Sequence, residues 1–125
     1  IMDQGAYYGD AVPGKSPWLD SEMGITDYGH RGVPNVFLQA PLTSTGTWNS
    51  AHFANSDYDT LVKGYVAALD LEAQRAAAGK IQNLLLDETP VIFSYFYDFL
   101  TVTKAGATGV VATAMGHIML AQASV

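Results

Sequence analysis

Within residues 23–31, Met-Gly-Ile-Thr-Asp-Tyr-Gly-His-Arg, a short apolar run stops at a carboxylate, and the five residues from Asp27 then carry four different functional groups. Asp27 offers an anionic acceptor, Tyr28 a hydroxyl on a ring, His30 a titratable imidazole and Arg31 a planar guanidinium. Gly24, Gly29 and Gly32 loosen the backbone that carries them. Such a set suits the floor of a ligand cleft, where a carboxylate can hold an ammonium group or a guanidinium can grip a carboxylate through a bidentate fork. A second reading of the same residues pairs Asp27 with Arg31, four positions on and within reach. Both readings of Asp27 stand at this level. Trp48 and Asn49 add an aromatic ring and an amide in a polar loop, and the rings of Trp48 and Tyr28 either stack on a ligand or pack beside a neighbour.

Catalysis has less support. The chain has no cysteine nucleophile and no HExxH, GxSxG or glycine-rich phosphate loop. An enzyme would have to work through Asp27 with His30 or His52 as an acid–base or metal-binding pair, with no motif behind it. We therefore read a non-enzyme with no cofactor and no resident metal, in which His30 is a loop residue and His52 and His117 are structural.

The elements that must position these groups follow from pattern. Residues 1–21 contain Tyr7-Tyr8-Gly9-Asp10 and Val12-Pro13-Gly14-Lys15-Ser16-Pro17, whose Pro and Gly content predicts extended chain and turns rather than helix. Residues 22–28 read as a strand, 29–34 as a loop, and 35–40 as a brief helix ended by Pro41. Tyr58, Leu61, Val62, Tyr65, Val66 and Leu69 recur at helical spacing and give one apolar face, with Ser56 as the N-cap and Asp57 and Asp59 in the first turn. Asp70 caps a second helix whose buried stripe is Ala77, Ala78, Ile81, Leu84 and Leu85, stopped at Thr89-Pro90. Residues 91–97 are β-branched and aromatic throughout, which predicts a strand covered on both faces; 100–103 and 117–120 read as further short strands. Helices alternating with strands indicate an α/β class, yet the strands are too few for a sheet of their own.

Composition narrows the partners. The chain has 125 residues, 49% hydrophobic and 14% charged, enough apolar content for one domain with a core. The net charge is −6 and the six bases are scattered, so no basic stripe exists to displace phosphate counterions and nucleic acid is excluded as a partner. No uninterrupted apolar run, the one in 109–114 included, approaches the ~20 residues that span a bilayer. A chain without cysteine is compatible with an oxidising compartment as well as a reducing one.

Three blocks together resemble the C-terminal part of the family 5 extracellular solute-binding proteins, the dipeptide, oligopeptide and nickel receptors of ABC importers. The first is Gly24-Ile25-Thr26-Asp27-Tyr28 with Pro34-Asn35-Val36-Phe37-Leu38 after a loop. The second runs from Trp48-Asn49 through Phe53-Ala54-Asn55 and Asp57-Tyr58 at a helix start to Leu61. The third is Asp70 to Arg75, then Ile81-Gln82, then Pro90-Val91-Ile92.

The resemblance implies a partial lobe of a type II periplasmic-binding-protein fold, with helices packed on an incomplete mixed sheet. Residues 1–21 would be an extended segment left from a preceding lobe, and 22–125 the C-terminal part ending in lobe I. It also implies a periplasmic or otherwise extracytoplasmic substrate-binding component, whose signal peptide lies outside this chain. That component would capture a peptide or other ammonium-bearing solute and deliver it to a membrane permease. Asp27 matches the position that holds the ligand's α-ammonium, and Tyr28, Arg31 and Trp48 accompany it as ligand-binding candidates. The segment Gly29-His30-Arg31-Gly32 is more basic than the peptide binders' pattern, which keeps nickel and sugar ligands open. The partners are then the ligand, the permease and the N-terminal part of the same protein, with self-association expected of the isolated piece. The competing class is a small stand-alone interaction module.

Overall fold

Asn55 starts the helix α4, Ser56–Ala67: its side chain accepts hydrogen bonds from the backbone N–H groups of Asp57 and Tyr58, both at 3.0 Å. The cap is thus one residue earlier than the expected Ser56, because the amide reaches both orphan donors of the first turn. Asp70 caps α5, Leu71–Glu88, through a 2.8 Å bond from Ala73 N–H, as the sequence predicts. These two helices pack on one another across residues 68–70. Thr89 closes α5 in the left-handed region at φ 47°.

The computed structural model describes residues 1–96, 98, 100–113 and 115–125. It divides into two compact units, one of Ile1–Asp27 with Val33–Ile92 and one of Tyr28–Gly32 with Phe93–Val125. In the first unit the core is Leu42, Tyr58, Val62 and Ile81, with Leu38, Phe53, Leu61, Tyr65, Leu84, Leu85 and Val91 packed against it. The predicted stripes of α4 and α5 supply most of this set. The far end of the α4 stripe differs from expectation, since Val66 and Leu69 are exposed. Helix α3, Asn35–Gln39, is the brief helix expected before Pro41. It is tied to α4 by the Tyr58 hydroxyl, which donates to Leu38 C=O at 2.8 Å. Burial, and then the negative charge of Asp59, push the Tyr58 phenol well above the ordinary tyrosine range.

The N-terminal stretch departs from the sequence reading. Residues 1–21 form two one-turn helices, α1 at Gln4–Tyr8 and α2 at Pro17–Asp20, instead of extended chain. Asp3 caps α1 by accepting from Gly5 and Ala6, and Pro17 occupies the first helical position of α2, where its missing N–H costs nothing. The proline and glycine residues that argue against a long helix are compatible with single turns. Trp18 and Leu19 are buried on α2, and Ser16 beside them is fully buried, accepting from Val12 N–H at 3.0 Å.

Strands are the larger correction. Residues 22–28 form no strand. Among the described residues of 91–97 and 100–103 there is none either, and Tyr97 lies outside the described residues. Far from being covered on both faces, Ile92, Phe93, Tyr95 and Phe96 are 82, 72, 78 and 97% exposed. Strand propensity measures fit to a pleated, half-buried surface, and no described residue supplies a pairing edge for this segment. The pairing that exists in the second unit is antiparallel, β1 Val111–Ala112 with β2 Ile118–Met119, in the register Val111 to Met119 and Ala112 to Ile118. β2 falls within the strand predicted at 117–120, and Thr108 and Ser124 form a further antiparallel bridge. The described residues thus combine helices with a small two-stranded sheet, compatible with an α/β class.

Candidate functional site

Asp27 is held by its backbone. The Tyr8 phenol accepts from the Asp27 N–H at 2.8 Å and donates to the Asp27 C=O at 3.3 Å, so one side chain grips both backbone polar groups of Asp27. Tyr8 is itself braced: its ring meets Tyr7 edge-on at 5.1 Å and Trp18 at 5.7 Å, and Trp18 is buried. Tyr7 adds a 3.5 Å contact from its hydroxyl to Thr26 Oγ1. The one-turn helix α1 therefore fixes residues 26 and 27 without any strand, and the Asp27 residue as a whole is exposed.

Tyr28 and Arg31 belong to the second unit, and both are half-buried. The Arg31 guanidinium donates from one nitrogen to Gly29 C=O at 2.9 Å and to His30 C=O at 3.0 Å, which curls the Gly29-His30 turn around it. His30 is exposed.

Trp48, half-buried, sits in a loop whose organiser is Asn49. The Asn49 amide donates to Thr43 C=O at 3.1 Å and Phe53 C=O at 2.8 Å, and its oxygen accepts Phe53 N–H at 3.0 Å. The amide that reads as a ligand-lining group in the sequence is thus spent on the loop itself. Gly46 is required here, because a Cβ would come within 2.8 Å of Gln39 C=O and closer still to Ala40 C=O. His52, at φ 51°, places Nε2 2.8 Å from Leu19 C=O, so that nitrogen carries the proton and ties the loop to α2. This is the structural role expected for His52.

Between α2 and this loop lies an open cleft of about 220 Å³, lined by Pro13, Leu19, Ser44, Gly46, Thr47, Asn49 and His52. It is smaller than the ~300–1,000 Å³ typical of ligand pockets, so by itself it accommodates a few atoms rather than a peptide. Among the described residues no three His, Asp or Glu side chains converge as a metal site.

Sequence reasoning missed Tyr8. It lies 19 residues from Asp27, and nothing local marks a tyrosine in a Pro- and Gly-rich segment as the clamp of a distant backbone. It also undervalued Asn49 as a loop staple, for which the neighbouring Gly46 was the available signal.

The chain is 30% identical over 87 residues to the dipeptide-binding protein DppE of Bacillus subtilis (strain 168), a match that covers 70% of this chain and 16% of that protein. The matched stretch of the chain thus spans about a sixth of the length of this curated relative. No protein-family profile matches the chain, and no solved structure matches it. Among the described residues no helix is long and apolar enough to cross a membrane.

Proposed function

We propose that this chain is the C-terminal part of a family 5 solute-binding component of an ABC importer, working outside the cytoplasmic membrane without covalent chemistry. It captures a peptide or another ammonium-bearing solute and passes it to a membrane permease. The observation that carries this reading is the similarity to a dipeptide-binding protein over 87 residues. The order of the three motif blocks supports it. The larger N-terminal part of the same receptor completes the cleft, and the type II lobe architecture belongs to that whole.

In this reading Asp27 holds the ligand's α-ammonium. Charge-assisted hydrogen bonds of this kind contribute about 1.5–3 kcal/mol each. The Tyr8 clamp supports the role, since an acceptor on a fixed backbone loses little entropy on binding. Tyr28 and Trp48 offer rings to the ligand, and Arg31 offers a guanidinium to its carboxylate end.

The test is a thermal-shift series on the receptor that carries this chain, with free peptides, N-acetylated peptides, nickel and sugars, repeated with Asp27→Asn. Free peptides should raise the melting temperature, while acetylation or Asp27→Asn should abolish most of the shift. Equal shifts in both proteins would remove Asp27 as the anchor. A response to nickel or sugar alone would overturn the ligand class.

A further inference from the structure

Tyr8 holds Asp27 by the two groups that a neighbouring strand would otherwise hold. In a hydrogen-bonded antiparallel pair the partner residue accepts from the N–H and donates to the C=O. Here a single phenol on α1 does both, at 2.8 and 3.3 Å. A side chain without a hydroxyl, phenylalanine included, can do neither. The bond to the N–H is the shorter of the two and carries most of the restraint.

The phenol is itself confined. Tyr8 is half-buried, with its ring 5.1 Å from that of Tyr7 and 5.7 Å from that of the buried Trp18. Helix α2, which carries Trp18, is tied in turn to the loop of residues 43–52 through Leu19 C=O and His52 Nε2 at 2.8 Å. Tyr7 lies along the same segment as Tyr8: its hydroxyl is 3.5 Å from Thr26 Oγ1, and a Cβ at Gly24 would come within 2.6 Å of it. Two adjacent tyrosines of one helical turn thus meet residues 24–27, and of the two it is Tyr8 that bonds to the Asp27 backbone. All of these contacts lie inside the first unit.

We propose that Tyr8 is a positioning residue for the ammonium anchor, acting through Asp27 to set how tightly the site holds an ammonium-bearing peptide. The inference rests on the receptor reading, since it takes Asp27 as the group that meets the ligand. Fixing one residue's backbone shifts an equilibrium by about five- to thirtyfold. A residue restrained before binding does not lose that freedom on binding. Tyr8 supplies two hydrogen bonds of that restraint, so its hydroxyl accounts for about fivefold in affinity, the low end of the range.

Isothermal titration of the receptor that carries this chain, with the dipeptide Ala-Phe as probe and well below the melting temperature of each variant, reads this directly. Tyr8→Phe keeps the ring against Trp18 and should raise the Kd about fivefold. Tyr7→Phe, on the same turn, should leave the Kd within about twofold of the parent, which separates the clamp from the integrity of α1. Asp27→Asn removes the charge and should weaken binding at least about tenfold. Added to Asp27→Asn and titrated at millimolar peptide, Tyr8→Phe should change the Kd by less than about twofold, whereas a merely structural loss would be the same in both backgrounds. A Kd unmoved by Tyr8→Phe while Asp27→Asn weakens binding would overturn the inference and leave the anchor standing, as would an equal loss from Tyr8→Phe in both backgrounds or a loss of the same size from Tyr7→Phe. No binding of Ala-Phe to the parent, or an unchanged Kd in Asp27→Asn, would remove the anchor and the inference with it.

Discussion

Removing one oxygen from Tyr58 tests how the first unit is held together. The side chain has no solvent exposure, and its hydroxyl donates to Leu38 C=O at 2.8 Å, the link from α4 to α3. Tyr58→Phe keeps the ring and its edge-on contact with Phe53 at 5.5 Å, and deletes only the bond. The loss is a net hydrogen bond of about 1 kcal/mol, together with part of the ~1–3 kcal/mol penalty for a carbonyl left without its donor, giving about 1.5–2.5 kcal/mol. Urea unfolding at pH 7 should show this as a lower midpoint with an unchanged slope.

A second signature separates this account from simple loosening of the core. The folded phenol titrates well above its ordinary value of 10.0, driven by burial and then by Asp59. Above pH 10 the unfolded chain loses this proton while the folded chain keeps it, so the folded state binds more protons and stability falls as pH rises. The slope from this one group approaches about −1.4 kcal/mol per pH unit between the unfolded and folded values. The stabilising contribution is fully present below pH 10. Tyr58→Phe lacks this component, so its stability should decline less steeply than the parent's above pH 10. A variant within about 0.5 kcal/mol of the parent at pH 7, against the ~1.5–2.5 expected, or one with the same alkaline slope, would refute the reasoning.

Three further outcomes follow from the same geometry. Tyr8→Phe should expose the Asp27 amide, seen as a loss of hydrogen-exchange protection at that residue, and should lower stability by about 1 kcal/mol. Gly46→Ala drives a Cβ into the carbonyls of Gln39 and Ala40 and should cost about 2 kcal/mol or more in urea unfolding, with Gly46→Ser no better. Asp70→Ala removes the acceptor of Ala73 N–H and should cost about 1 kcal/mol, while Asp70→Ser should recover most of it.

The two long helices, and the Asp70 cap of α5, were legible because their information is local. An apolar residue every three or four positions identifies the buried face of α4 and α5, and an Asp before an apolar periodic run marks a cap. Tyr58, Val62 and Ile81 fall in the core for that reason. Asp27 was legible as a site candidate by type and by its block. What holds it was not, since Tyr8 reaches it from 19 residues away out of a helix too short to leave a periodic trace. Strands fail for a related reason. The stretch from Val91 has strand-forming residues, yet a strand exists only when another backbone satisfies its N–H and C=O groups, and that partner is not encoded in the stretch itself. The two-residue strands Val111–Ala112 and Ile118–Met119 do pair, because the chain between them turns back within reach. Local spacing alone thus determined where α4 and α5 form and most of the face that each buries. The tertiary structure decided which backbones meet and which side chain holds Asp27, because both depend on contacts between residues distant in sequence.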